Sequence, residues 1–223
     1  MANADWRAKL LLQPVTGMRL VASGMVVLAA LAGVALSWSN WDAYYLAVAF
    51  LENGSASMGD VIAADERSVT VFWWSLAVVV AAGVAFIVWL VRARENAERL
   101  CHAEHSLGKG WAIGAWFVPV VNLWFPYKVV RDVWKASKPG AGELRTLRGV
   151  PGSPVVALWW GLWVLAIVVD RLGFIGEPET VDDFHTLCVV LTAVAVLKVA
   201  AAVVVVRVMA EISGWQERAR KDA

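Results

Sequence analysis

Four long apolar runs constrain the fold of this chain more than any other feature. They cover residues 20–38, 69–91, 155–171 and 184–206. The hydrocarbon core of a bilayer is about 30 Å thick, and an α-helix needs roughly 20 apolar residues to cross it. Lipid offers no partner to backbone polar groups, so a spanning segment must pair them internally. The runs therefore predict an all-α integral membrane protein with four transmembrane helices.

The composition agrees with a single membrane domain. Of the 223 residues, 60% are hydrophobic and 17% are charged, whereas about a quarter of residues are charged in an ordinary soluble domain. Four spans and their connections use most of the chain, so we expect residues 1–223 to form one domain without a separate soluble part. The two cysteines cannot build a disulfide framework.

The positive charges predict how the four helices are oriented. In a four-pass arrangement, all of the 20 lysine and arginine residues fall on one side except Arg67, Arg171 and Lys198. The positive-inside rule assigns that side to the cytoplasm. We therefore predict a multi-pass protein of the cell (inner or plasma) membrane, with both termini in the cytoplasm.

A fifth apolar stretch, residues 111–127, is predicted not to cross the membrane. If it did, the basic residues would divide almost evenly between the two sides. Pro119 also removes a backbone donor and clashes with the preceding turn, which disfavours a straight helix. Aromatic residues lie toward both ends, as is typical of segments at the membrane interface. Two structures remain open on the cytoplasmic side: a re-entrant segment that turns near Pro119, or two short helices in the interface.

The sequence on both sides of this stretch indicates ordered helices. The second apolar run is expected to continue as a helix to about Leu100, and Pro126 suits the first turn of another helix. That helix should end at Ser137-Lys138-Pro139-Gly140. We predict that this helix is amphipathic and lies at the membrane interface. The interfacial or re-entrant region on the cytoplasmic side would then cover about residues 92–137. Tyr127, Val130 and Trp134 would form one face, with Lys128, Arg131 and Lys135 around the rest.

Several strings of the sequence resemble DUF4328, a family of bacterial membrane proteins that is named as a domain of unknown function. They are FIVWLVRARENA at residues 86–97, GWAIG at 110–114, WFVPVVNL at 116–123, PY at 126–127, RDVWKAS at 131–137 and the pair WW at 159–160. The resemblance covers roughly residues 70–210. The bridge of residues 101–109 departs from the family pattern, in which a short stretch with Ser-Pro is expected before Gly-Trp. The resemblance implies a membrane location and brings with it no activity, ligand or cofactor.

The residues that could bind a metal or catalyse a reaction are few. Cys101, His102 and His105 are close in sequence, but zinc requires a fourth ligand, and His185 is expected on the opposite side of the membrane. The same shortage of histidines argues against a haem. We therefore predict no metal site, no cofactor and no catalytic set, and an enzyme is the less favoured class.

Lys198 is the only charged residue well inside a predicted span. Ionisable residues within a membrane are functional candidates. The alternatives are a lysine whose long stem reaches toward the cytoplasm, or one that contacts a polar group such as Asn122. No acidic residue is expected at the depth of Lys198.

Three functions remain open from the sequence. The first is an accessory or scaffold component whose basic, tryptophan-rich cytoplasmic face binds anionic lipid headgroups and a protein partner. The second is a small oligomeric transporter or channel that uses Lys198 and Asn122, and the third is a membrane enzyme acting on lipid, which would depend on His102, His105 or Asp132. Nothing in the sequence indicates nucleic-acid binding, and a homo-oligomer is an alternative to a protein partner. The candidate lipid or partner contacts are Arg92, Arg94, Asn96, Trp111, Trp116, Pro119, Asn122, Pro126, Lys128, Arg131, Trp134 and Lys135.

Overall fold

The structure is a computed structural model that describes residues 12–173 and 179–222. Four long helices dominate it: α1 (Thr16–Val48), α2 (Met58–Leu100), α5 (Pro154–Leu172) and α6 (Val181–Lys221). Two shorter helices, α3 (Trp111–Gly114) and α4 (Phe125–Ser137), lie between α2 and α5. Two 3₁₀ turns accompany them, at Val121–Leu123 and Ala141–Glu143. In the described parts of the chain the only β pairing is an isolated bridge between Glu104 and Thr146.

The four long helices are each long and apolar enough to cross a membrane. The prediction of a four-pass α-helical membrane protein is thus confirmed by the number and character of its helices. All four extend beyond the apolar runs. Local capping groups stabilise the polar N-terminal ends of α2 and α6. At the start of α2, Asp60 N donates to Ser57 Oγ at 3.2 Å, while Ser57 N donates to Asp60 Oδ2 at 2.8 Å. Thr180 and Asp183 form the same reciprocal pair at the start of α6, a capping box in both places.

The helices that adjoin the predicted non-spanning stretch have the predicted bounds. Helix α2 ends at Leu100 and α4 ends at Ser137. Pro126 lies in the first turn of α4, where its missing N–H leaves no helical hydrogen bond unmade.

The described chain divides into two compact units. Unit 1 comprises Met1–Gly24, Gly83–Trp160 and Val203–Ala223, of which residues 1–11 and 223 lie outside the described part. Arg7 and Lys9, which the orientation argument counted, are among them. Unit 2 comprises Met25–Ala82 and Gly161–Ala202, with residues 174–178 outside the description.

Unit 2 consists of helix segments joined by hydroxyl hydrogen bonds. Ser39 and Ser68 bond at 3.0 Å, and Ser37 and Thr192 at 2.9 Å. Small polar residues of this kind let membrane helices approach closely. The outward surface is apolar, as a lipid-facing surface must be. It includes Val27, Leu31, Phe72, Trp73, Trp74, Val80, Leu165 and Val196, all of them exposed.

Unit 1 has a densely packed core that includes helix α4. Trp89, Leu90, Val130, Val133 and Met209 are fully buried in it. Eight of the 13 residues of α4 are buried. The buried set includes the charged residues Asp132 and Lys135. Its members are Pro126, Val129, Val130, Asp132, Val133, Lys135, Ala136 and Ser137.

Candidate functional site

The most unusual surface of unit 1 is the segment of residues 111–124, which we call the apolar tip. It begins with the single turn of α3 and reverses at Pro119. Val121 N donates to Pro119 O at 2.8 Å, and Val120 between them has φ 67° and ψ −58°. These angles define a γ-turn, a strained conformation for a β-branched residue. The predicted break of the helix at Pro119 is confirmed.

The two ends of the apolar tip meet at its base. The rings of Trp111 and Phe125 contact each other edge to face, with centroids 4.6 Å apart. Trp160 Nε1 donates to Leu123 O at 2.8 Å, which holds the C-terminal part of the tip against α5 within unit 1. Trp116 packs on Phe86 with centroids 5.5 Å apart. A segment whose two ends contact each other cannot cross a bilayer once, and the structure thereby agrees with the four-pass arrangement.

Six large apolar side chains of the apolar tip are exposed, whereas Ala112 and Ala115 are buried. Phe117 is 70% exposed and Val120 is 66% exposed. Soluble proteins seldom expose contiguous apolar surface of this kind unless it meets a membrane, a ligand or another protein. The exposed large apolar residues of the tip are Ile113, Phe117, Val118, Val120, Leu123 and Trp124.

Three cations lie beside the base of the apolar tip. Lys128 Nζ is 5.5 Å from the centre of the Phe125 ring, and the Arg131 guanidinium is 5.5 Å from that of Tyr127. Both contacts are cation–π interactions. Lys109 lies two residues before the start of the tip and is 74% exposed, although its Nζ also pairs with Glu98 at 2.7 Å. The tip thus combines apolar side chains with a positively charged rim.

A buried amide network holds unit 1 together behind the tip. Asn96 Nδ2 donates to Gln13 O at 2.8 Å and to Gln216 Oε1 at 3.2 Å, and Asn96 Oδ1 accepts from Gln13 N at 2.9 Å. Gln216 Nε2 donates to Ala93 O at 2.8 Å and to Ser137 Oγ at 2.7 Å. Asn96 therefore acts as a positioning residue in the core, with 0% exposure.

Two of the basic candidate residues are buried and serve internal contacts. Arg94 is 4% exposed; its Nη2 donates to Leu107 O at 2.8 Å and its Nε pairs with Glu98 at 3.0 Å. Lys135 Nζ donates to Leu147 O at 3.2 Å. Burial, with a smaller contribution from the Arg131 charge, lowers the pKa of Lys135, and the Asp132 carboxylate partly opposes this. Each of the two cations therefore attaches a different loop to the core, Arg94 through Leu107 and Lys135 through Leu147.

The loop of residues 101–110 is anchored to α4 by a buried carboxylate. Asp132 is 1% exposed, and its Oδ2 accepts from Ser106 N at 2.8 Å. His105 lies next to this anchor, and its two ring nitrogens are buried without a hydrogen-bond partner among the described residues. Burial and the nearby Arg94 charge lower the pKa of His105 to about 4, while Asp132 and Glu98 act in the opposite direction. The imidazole is consequently neutral at neutral pH.

The remaining candidate residues of unit 1 have varied surroundings. Trp134 Nε1 donates to Glu211 Oε2 at 3.2 Å, and its half-buried ring meets that of Trp215 at 5.4 Å. Arg92 and Asn122 are half-buried, and Pro119 is exposed. The structure therefore brings Trp111, Trp116, Pro119, Asn122 and Lys128 together in or beside the tip. It places Arg94, Asn96 and Lys135 in the interior.

Lys198 lines a cavity of about 470 Å³ in unit 2. Three helices each present residues at positions i, i+3, i+4 and i+7, which share one side of a helix over two turns. Two acidic residues, Asp65 and Asp170, line the same cavity. The lining consists of Gly33, Leu36, Ser37 and Asn40 from α1, Asp65, Ser68, Val69 and Phe72 from α2, Leu191, Val194, Ala195 and Lys198 from α6, and Asp170 from α5.

Sequence reasoning missed the amide network and the charged cavity. A signal for the network did exist: Met209, Ile212 and Gln216 recur at helical spacing, which places Gln216 on a buried face. No comparable pattern in the sequence predicts that Asp65 and Asp170 line one cavity with Lys198. In the part of the chain that the structure describes, no three His, Cys, Asp or Glu residues cluster as metal ligands. The thiols of Cys101 and Cys188 are free and buried.

Comparison with known proteins identifies the family. Neither the search of curated proteins nor the search of solved structures finds a match to this chain. A model of the family DUF4328, a domain of unknown function, matches residues 52–214. That range takes in α2, the apolar tip, α4, α5 and most of α6. The chain therefore belongs to the DUF4328 family.

Proposed function

We propose that this protein is an accessory membrane protein whose unit 1 binds anionic lipid headgroups and a protein partner on the cytoplasmic side. The observation that supports this function best is the apolar tip with its rim of cations. Lipid insertion would cover Phe117 and Val120, which water otherwise surrounds. The same insertion would bring Lys109 and Lys128 to the level of the headgroups.

The expected energies are sufficient for a stable contact. Removing an aliphatic or aromatic side chain from water contributes roughly 1.5–3 kcal/mol when burial is complete. Each lysine or arginine near an anionic membrane surface adds about 1 kcal/mol. Several apolar side chains and two or three cations at one place therefore outweigh the strain of the γ-turn at Val120, a cost of roughly 1–3 kcal/mol.

The orientation belongs to the same proposal. The basic residues concentrate in the connections that unit 1 contains, and the positive-inside rule places such connections in the cytoplasm. Both termini would then be cytoplasmic, and the tip would enter the inner leaflet as a short re-entrant segment or lie along its interface.

A protein partner would be contacted through the aromatic pair of Trp134 and Trp215. Both rings are half-buried, and Lys138 Nζ lies 5.3 Å from the centre of the Trp134 ring. Tryptophans that keep part of their surface exposed are frequent anchors of protein interfaces. This pair is separate from the residues of the tip, so lipid and partner could bind together.

Spin labelling tests the position of the tip. A nitroxide on Phe117→Cys or Val120→Cys is placed in the full-length protein in lipid discs. The native thiols are buried, so the label reports the introduced site. We expect high accessibility to oxygen and low accessibility to a water-soluble nickel chelate. Glu143→Cys, at an exposed site in a 3₁₀ turn, is the control and should be open to the chelate. Equal chelate accessibility at all three positions would refute insertion of the tip.

Lipid selectivity tests the role of the cations. The measured quantity is the association constant of a spin-labelled anionic lipid relative to a neutral one. We expect a preference for the anionic lipid that decreases by about five-fold in Lys128→Gln, as the loss of roughly 1 kcal/mol requires. Arg171→Gln removes an exposed charge from unit 2 and is the matched control. A preference that is absent in the wild type, or equal in all variants, contradicts the proposal.

A further inference from the structure

Three charged side chains of the unit 2 cavity lack a protein partner. Lys198, Asp65 and Asp170 all line it, and none makes a hydrogen bond or ion pair with any residue in the ranges 12–173 and 179–222. Because these opposite charges line one cavity without contacting each other, a ligand can lie between them. All three side chains are exposed, so a ligand that enters the cavity can reach each of them. Lys198 lies well inside the apolar run of α6, where an unpaired charge is costly.

The cation and the carboxylates lie toward opposite ends of the cavity. Ser75 Oγ donates to Ala32 O at 3.1 Å, while Ser39 bonds to Ser68, which sets the register of α1 against α2. By this register Asp65 lies about level with residue 42 of α1. The Ser37–Thr192 bond sets the register of α6, and it brings residue 198 about level with residue 31. At 1.5 Å per residue, the two Cα positions differ in depth by about 16 Å. Asp170 lies in the last turn of α5.

We propose that this cavity binds a small zwitterion, with its anionic group at Lys198 and its cationic group at Asp65 and Asp170. The cavity borders both the lysine and the two carboxylates, so an elongated molecule with separated charges fits best. The cavity volume lies within the range of about 300–1,000 Å³ that is usual for small-molecule sites.

Each simpler ligand would leave part of the cavity unsatisfied. An anion would neutralise Lys198 and leave two carboxylates unpaired, and an amine would leave the lysine without a partner. A zwitterion satisfies both ends and brings no net charge into the membrane region. Asn40 also lines the cavity, and among the described residues its side chain bonds only through Nδ2, to Leu36 O at 2.9 Å. Its side-chain oxygen is available to accept a hydrogen bond from an ammonium group.

Binding of 6-aminohexanoate, a zwitterion with a five-methylene spacer, tests the proposal. The full-length protein in lipid discs is dialysed against the radiolabelled compound, and protein-free discs correct for partitioning. Hexanoate and hexylamine, which each carry one of the two charged groups, serve as competitors. We expect saturable binding that each competitor displaces at least about ten-fold less well than unlabelled 6-aminohexanoate, because each lacks one charge-assisted hydrogen bond.

The variants separate the two ends of the cavity. Lys198→Met and the double variant Asp65→Asn with Asp170→Asn should each weaken binding by roughly ten-fold or more. Glu66→Gln removes an exposed acid beside Asp65 that does not line the cavity, so binding should remain unchanged. Size-exclusion chromatography of every variant verifies that it is folded.

Three results would overturn the proposal. One is the absence of saturation up to about 10 mM with a folded wild-type protein. A second is binding that hexanoate or hexylamine competes for as well as 6-aminohexanoate does, since the site would then recognise one charge only. The third is binding that neither the lysine variant nor the double aspartate variant weakens.

Discussion

The side-chain amide of Asn96 donates a hydrogen bond to the side-chain carbonyl of Gln216 at 3.2 Å, and both residues are fully buried. The pair connects α2 to α6. Asn96 also bonds the backbone of Gln13, and Gln216 bonds Ser137 of α4. Two amides therefore join four segments that are far apart in sequence. Networks of this kind stabilise a unique packing only when every member is satisfied.

Replacement of Asn96 by Ala should destabilise unit 1. The change leaves the backbone of Gln13 and the carbonyl of Gln216 without their partner, at a cost of roughly 1–3 kcal/mol. The measurement is the free energy of unfolding in mixed micelles. Asn40→Ala is the control, because that amide bonds only within its own helix and should change stability by less than about 0.5 kcal/mol. Equal effects of the two substitutions would show that the network is unimportant.

The stability of unit 1 should decrease as the pH falls from about 6.5 to about 4. The pKa of His105 is lowered from 6.5 to about 4 by burial and the Arg94 charge. Between these values the unfolded chain binds a proton that the folded chain does not, so stability rises with pH across this window. The variant His105→Gln should have a smaller decrease between pH 7 and pH 5, measured by chemical denaturation. His102→Gln alters an exposed neighbour and should retain the wild-type dependence. If both variants follow the wild type, His105 does not carry the effect.

Val120→Gly should be tolerated far better than Val118→Gly. Both side chains are exposed on the apolar tip, but only Val120 has a positive φ. Glycine adopts positive φ without the steric cost of roughly 1–2 kcal/mol that a β-carbon imposes. At Val118 the same substitution only adds freedom to the unfolded chain, which lowers stability by roughly 0.5–1 kcal/mol. The difference in thermal unfolding midpoint between the two variants is the measurement. A midpoint for Val120→Gly at or below that of Val118→Gly would contradict the γ-turn.

Two glycines of unit 2 should respond oppositely to Ala. A β-carbon at Gly173 would lie 2.5 Å from Val190 Cγ1, whereas one at Gly161 would meet nothing within 4 Å. Gly173→Ala is therefore expected to lower the free energy of unfolding by roughly 1–3 kcal/mol through overpacking. Gly161→Ala, inside α5, should raise it by roughly 0.5–1 kcal/mol. Unfolding in mixed micelles measures both, and a neutral Gly173→Ala would show that this contact relaxes freely.

The ends of the helices show how far helix bounds can be predicted from the local sequence. The apolar runs predict the four long helices but underestimate their length. The pairs Ser57 with Asp60 and Thr180 with Asp183 extend α2 and α6 toward their N-termini, and both have capping-box spacing. The break at Pro119 and the place of Pro126 in the first turn of α4 were predicted as well, since proline acts on its own backbone and its immediate neighbours.

The charges of α4 illustrate where local reasoning fails. The sequence predicts an amphipathic helix with Tyr127, Val130 and Trp134 on one face and basic residues around the rest, yet Lys135 and Asp132 are buried. Their partners, Leu147 O and Ser106 N, come from loops on the two sides of the helix. A sequence pattern describes the faces of a helix, and it does not say which backbone groups from elsewhere will satisfy a charge there.

The sequence by itself thus determined the four apolar helices, the break at Pro119 and the family, because these depend on residues that are close along the chain. Only the tertiary structure decided which charges are partnered. It buried Arg94 and Lys135 and brought Asp65 and Asp170 to the cavity of Lys198. These outcomes depend on contacts between residues distant in sequence. The cost or gain of placing a charge is set by the partners that packing supplies.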